Sequence, residues 1–221
     1  NKLKFKDLGE AIISVSKNFS SWPPCLLAFS IYGTLIAFSG AWGVPYLMQV
    51  YGLTRSQASN FMMIIAIGMM VGCPLIGFIS DRLKRRKEPF LLIVVLYLGA
   101  WLALTFINSG KPPIIYLYPI FFIMGIGGSA MVLALTCTKE ANRPEFTGMA
   151  TGLVNVGAFA GISILQPLMG YILDKNWQGT LIEGIKTYPQ EAYLKTFLLC
   201  IGILLLTSWS VFLLKEPNTN K

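Results

Sequence analysis

Apolar residues run along this chain in long uninterrupted blocks, and the charged residues fall in the gaps between them. Six stretches contain no Asp, Glu, Lys, Arg or His: 18–54, 56–80, 89–110, 112–138, 146–173 and 196–214. At 1.5 Å rise per residue, about 20 residues cross the ~30 Å hydrocarbon layer of a bilayer. The pattern predicts an all-α integral membrane protein with six transmembrane helices, at about 23–50, 56–80, 89–110, 112–138, 146–173 and 196–214, in one domain over 21–221. Residues 4–17 have the spacing of a short amphipathic helix with basic flanks, expected to lie along a membrane surface. Residues 1–20 are therefore read as a cytoplasmic linker. The chain begins with Asn, as a piece of a longer protein would.

Composition changes this picture in one respect. Charged residues are 13% of 221, about half the ~25% usual in soluble domains. The net charge of +8 is distributed by side. With six spans both termini share a face, and that face carries thirteen of the eighteen Lys and Arg. Only Arg55, Lys111, Lys175, Lys186 and Lys195 fall on the other. By the positive-inside rule the termini are expected to be cytoplasmic, in a cell membrane such as a bacterial inner membrane. The charge thus marks orientation, and nucleic acid is not expected as a partner.

Local signals mark the helix ends. Gly52 is placed to close the first helix, and Thr54 with Gln57 has the spacing of a capping box for the second. Asn142-Arg143-Pro144-Glu145 suits the start of the fifth. The longest connection, about 174–195, is expected to hold a short surface helix. Cys25, Cys73, Cys137 and Cys200 form no CxxC pair and read as small core residues.

The second and fifth spans carry matching tails. Pro74-Leu75-Ile76-Gly77-Phe78-Ile79-Ser80-Asp81 and Pro167-Leu168-Met169-Gly170-Tyr171-Ile172-Leu173-Asp174 agree at five of eight positions with an offset of 93, and Gly68 maps onto Gly161. The two spans run in opposite directions. The chain therefore reads as two three-helix repeats of inverted topology, an arrangement typical of transporters. GxxxG pairs at Gly68/Gly72, Gly148/Gly152 and Gly157/Gly161 allow close helix approach. On the fifth helix the two pairs lie on opposite faces, so that helix is expected to be gripped on both sides.

After the second span comes Gly77-Phe78-Ile79-Ser80-Asp81-Arg82-Leu83-Lys84-Arg85-Arg86-Lys87. A carboxylate at Asp81 sits at a helix C-terminus, where the dipole is already negative, so it needs a compensating cation. Gly77, one turn earlier, leaves room for a neighbouring helix. The run resembles the Gly-x-x-x-Asp-Arg-x-x-Arg-Arg/Lys loop of the major facilitator superfamily, with Lys84 where that pattern usually has Gly. The resemblance covers nearly the whole chain. It implies the C-terminal half, helices seven to twelve, of a twelve-helix carrier, with the N-terminal six-helix half as partner. It further implies that Gly77, Asp81, Arg82, Arg85 and Arg86 form a gating motif with Asp81 and Arg82 as a latch. The first and fourth spans would line the path, the second and fifth would flank it, and the third and sixth would face lipid.

No ionisable residue lies in the middle of any span, so these residues supply no proton-coupling carboxylate and no cation for a phosphate or carboxylate substrate. The candidate solute-lining residues are uncharged: Tyr32, Ser39 and Trp42 in the first span, Tyr116 and Ser129 in the fourth, Asn155 and Gln166 in the fifth. Gly40, Gly43 and Pro45 weaken the first helix, and Gly125, Gly127 and Gly128 make a flexible segment in the fourth. Asn155 and Gln166 fit substrate contact or interhelical bonding equally well, and Trp42 fits packing or a substrate wall. With no His and no carboxylate pair at depth, an enzyme, a metal or a cofactor is not expected. The reading is half of a secondary transporter of a small organic solute. A facilitative carrier, a six-helix channel and a drug or metabolite efflux pump are the alternatives.

Overall fold

The computed structural model describes residues 5–182 and 184–216. Residues 1–4 of the expected linker, with Lys2 and Lys4, and Lys221 lie outside the described residues. Helix α1 (Phe5–Lys17) precedes six helices long and apolar enough to cross a membrane. These are α2 (Phe19–Tyr51), α3 (Arg55–Leu83), α4 (Lys87–Ser109), α5 (Ile114–Ala141), α6 (Pro144–Lys175) and α7 (Gln190–Leu213). Ala11 and Val15 of α1 are buried, and Ile12 and Val15 share a groove with Met149 and Leu153 of α6.

Helix ends follow the local chemistry. The Asn18 side chain accepts from Ser20 N at 3.1 Å where α2 begins. Gly52 closes α2 in the left-handed region, at φ +68. Thr54 and Gln57 make both bonds of a capping box, which satisfies two amides that the first turn of α3 leaves free. Pro144 and Glu145 open α6. In α2 the backbone relaxes into π-helical turns at Ala28–Tyr32 and Phe38–Trp42, the second beside Gly40, Gly43 and Pro45.

The connection after α6 is a two-stranded antiparallel hairpin, β1 (Leu181–Ile182) and β2 (Ile185–Lys186), and not the surface helix expected. The β-branched residues Thr180, Ile182, Ile185 and Thr187 favour extended backbone. Gly184, at φ +78, supplies the turn.

Two helix crossings organise the bundle, and they are copies of each other. Gly68 of α3 meets Gly125 of α5 so closely that a Cβ on Gly125 would overlap the Ile65 carbonyl oxygen. Gly33 of α2 meets Gly161 of α6 in the same way, and a Cβ on Gly161 would overlap the Phe29 carbonyl oxygen. Exchanging first with fourth and second with fifth spans turns one crossing into the other, as the inverted repeat requires. Glycines in α5 thus serve packing: Gly127 lies against the Tyr97 ring and Gly128 against Leu35 and Met69.

Of the two GxxxG pairs of α6, Gly157/Gly161 is the one that meets α2. A Cβ on Gly148 or Gly152 would meet no other atom within 4 Å among the described residues. The core gathers on Phe38, whose ring lies 5.5–5.9 Å from those of Trp101, Phe121 and Phe197, joining α2, α4, α5 and α7. Helices α4 and α7 turn apolar side chains outward, among them Val95, Phe106, Leu206 and Phe212. All four cysteines are free thiols.

Candidate functional site

Arg86 is the centre of a polar network at the end of the bundle where the basic loop lies, here the basic face. Its side chain is only 9% exposed. Nη1 donates to Asp81 Oδ1 at 2.8 Å and to Ser80 Oγ at 2.6 Å. Nε and Nη2 grip Glu140 in a bidentate pair, at 3.0 and 2.6 Å. Asp81 and Glu140 stand at the C-terminal ends of α3 and α5, where the helix dipoles repel a carboxylate. One guanidinium offsets both charges and ties the two helices. The two carboxylates, Glu140 foremost, raise the pKa of Arg86 still further, so it stays cationic. Glu216, beyond α7, accepts from the backbone amides of Arg86 and Lys87 at 2.7 and 3.0 Å. It caps the start of α4 from across the chain.

Asp81 therefore pairs with Arg86, and not with Arg82. The Arg82 guanidinium lies 6.0 Å from the Phe78 ring centre, with no carboxylate partner among the described residues. Arg85 pairs with Glu88, one turn on. A Cβ on Gly77 would meet nothing within 4 Å among the described residues. Lys84 takes the left-handed conformation that glycine normally supplies, at φ 51, so the tight turn survives the substitution. Glu140 and Glu216 escape sequence reasoning, because nothing local links them to the loop; Ser80 lies within the run, but no motif position marks its hydroxyl as a partner of Arg86.

The opposite end holds a second network. Asp174 Oδ1 accepts from Lys186 Nζ and from Tyr188 OH, both at 2.8 Å. Gln49 Oε1 accepts from Tyr188 N at 2.9 Å and Tyr193 OH at 2.8 Å, and its Nε2 donates to Lys186 O at 3.2 Å. Burial and the neighbouring carboxylate push the Tyr188 pKa up to about 12, which keeps its hydroxyl a donor. The matching tails of the second and fifth spans were the sequence signal for Asp174.

The solute-lining candidates separate. Trp42 Nε1 donates to the Gln166 carbonyl oxygen at 3.0 Å, and its ring covers Gly170, so Trp42 and Gln166 meet where α2 crosses α6. Tyr32 and Ser39 are half-buried on α2. Tyr116 is exposed near the far end of α5. Asn155 is exposed on α6. Ser129 is fully buried and donates to Ile126 O at 2.6 Å, so it offers nothing to a solute in this conformation. Its hydroxyl instead satisfies a carbonyl where α5 breaks at Gly128–Ser129.

Residues 17–221 match the Major Facilitator Superfamily, and the chain belongs to that family, whose members are transporters and not enzymes. The fold resembles that of the proton:xylose symporter XylE, with a TM-score of 0.61 at 17% identity, over 94% of this chain and 46% of that one. The putative metabolite transport protein YdjK of Escherichia coli (strain K12) is 27% identical over 117 residues, 52% of this chain and 24% of that protein. The human choline/ethanolamine transporter FLVCR2 is 28% identical over 147 residues, 64% of this chain and 25% of that protein. The chain thus matches about a quarter of the length of these two relatives.

Proposed function

We propose that this chain is the C-terminal six-helix half of a secondary carrier that moves a small organic solute by alternating access, with an N-terminal half as its partner. The observation that carries this reading is the pair of glycine crossings related by the inverted repeat, in a chain of this family. Two repeats packed alike can exchange conformations about a central path. In this reading the basic face is cytoplasmic, α2 and α5 line the path, and Tyr32, Ser39, Trp42, Tyr116, Asn155 and Gln166 meet the solute. Asp81 and Arg86 hold the cytoplasmic end, with Gly77 left open for a helix of the other half.

The test is solute counterflow in proteoliposomes containing the intact carrier. Saturable uptake with counterflow is expected, and Asp81→Asn is expected to insert normally and to slow exchange. Unsaturable flux would mean a channel, and unchanged exchange in Asp81→Asn would remove the latch.

A further inference from the structure

The two polar networks have the same construction at opposite faces. In each, a carboxylate ends one of the matching tails: Asp81 on α3 and Asp174 on α6, at the shared offset of 93. In each, the donors come from the connection that follows: Arg86, five residues after Asp81, and Lys186 with Tyr188, twelve and fourteen residues after Asp174. In each, the same residues also bond a side chain at the end of the helix crossed at mid-depth. Arg86 holds Glu140 of α5, and the backbones of Lys186 and Tyr188 hold Gln49 of α2. Each network therefore joins the helices that meet at a glycine crossing, α3 with α5 through Gly68 and Gly125, α6 with α2 through Gly161 and Gly33.

We infer that Asp174, Lys186, Tyr188 and Gln49 form a second clasp, the outward-facing counterpart of the Asp81–Arg86–Glu140 network. Each helix pair is hinged at its glycine contact and clasped at one face, and the two pairs are clasped at opposite faces. The crossing supplies a pivot because the two backbones meet directly at the glycines, with little side-chain bulk between them. The clasp sets how readily the helix ends beyond the pivot separate. Among the described residues the free ends carry no equivalent charge pair: the far end of α3 and α5 has the Phe61–Tyr118 ring pair, centroids 4.9 Å apart. At the basic end of α6 and α2 it is Cys25 Sγ to Leu153 O at 3.5 Å. The two faces can thus be unlocked separately, as alternating access needs. The assignment of clasp to face rests on the carrier reading above, but the local mechanics do not.

The experiment is backbone hydrogen exchange on the intact carrier in lipid nanodiscs. Asp174→Asn is expected to speed exchange about threefold to tenfold at residues 45–51 and 168–175, the size expected for losing an exposed ion pair and a hydroxyl bond. Residues 78–86 and 136–142 should not change. Asp81→Asn should give the reverse pattern. Tyr188→Phe, which keeps the ion pair, should give a smaller rise at the same outer segments. Unchanged exchange at 45–51 in Asp174→Asn, or equal acceleration at both faces, would overturn the inference. Absence of counterflow in the unaltered carrier would sink the transport reading and leave the exchange pattern interpretable.

Discussion

The two ends of this bundle solve one problem with different chemistry. Both must hold a carboxylate at a helix C-terminus and link two crossing helices. The basic face uses a buried guanidinium between two carboxylates. The opposite face uses a half-exposed ammonium, a phenol and an amide. A buried charged centre is costly to break, because the partner charges are left uncompensated. A clasp of exposed and neutral groups loses little per bond, since water replaces what is removed. The basic face is thus built as a stiff anchor and the opposite face as a graded one. Below these ends, the two glycine crossings are alike.

The largest expected effect tests that likeness. Gly125→Ala and Gly161→Ala each place a methyl on a facing carbonyl oxygen. Each should cost about 2–3 kcal/mol, the usual size of overpacking at a rigid contact. The two losses should match within error in thermal melts of the detergent-solubilised protein. Gly152→Ala, with open space at its Cβ, should stay within about 0.5 kcal/mol of the parent unless the other half packs there. Unequal losses would mean that the two crossings are not equivalent.

Next in size is the basic anchor. Arg86→Ala should cost about 2–3 kcal/mol, discounted from the ~3–5 of a fully buried pair because Asp81 is 73% exposed and Glu140 33%. Arg82→Ala should change the melting behaviour by less than about 0.5 kcal/mol. If Arg82→Ala proves the more damaging, Arg86 is not the centre. At the opposite end, Gln49→Ala removes the acceptor of Tyr188 N and Tyr193 OH and should cost about 1–2 kcal/mol. That places it between the two arginines.

How much of this was legible beforehand depended on range. The six spans, the Gly52 stop and the Thr54–Gln57 cap were readable because each signal lies within a few residues. The inverted repeat was readable because two tails agree at five of eight positions at a fixed offset. Arg86 was named within the motif, but its partners were not. Glu140 lies 54 residues away and Glu216 130, and only the packing of α4 against α5 and α7 brings them together. The same holds for Gln49, 139 residues from Tyr188. The hairpin was missed because its apolar residues read equally as one face of a short helix. The burial of Ser129 was not legible, because one hydroxyl in a glycine-rich stretch looks free until the helix break that occupies it is seen.

The smallest effect concerns the turn after Asp81. Lys84 sits at φ 51, ψ 30, a conformation in which a Cβ crowds the following carbonyl. Glycine removes that crowding but widens the unfolded ensemble, so the two contributions oppose each other. At a left-handed helix end the steric relief normally dominates, and Lys84→Gly should stabilise the protein by about 0.5–1 kcal/mol. The change also removes one positive charge from a loop that keeps Arg82, Arg85, Arg86 and Lys87, so insertion should be unaffected. A melting temperature raised slightly, with the Arg86→Ala loss unchanged in the Lys84→Gly background, would show that turn and anchor contribute independently. A fall would mean that the lysine side chain holds something the strained turn is there to serve.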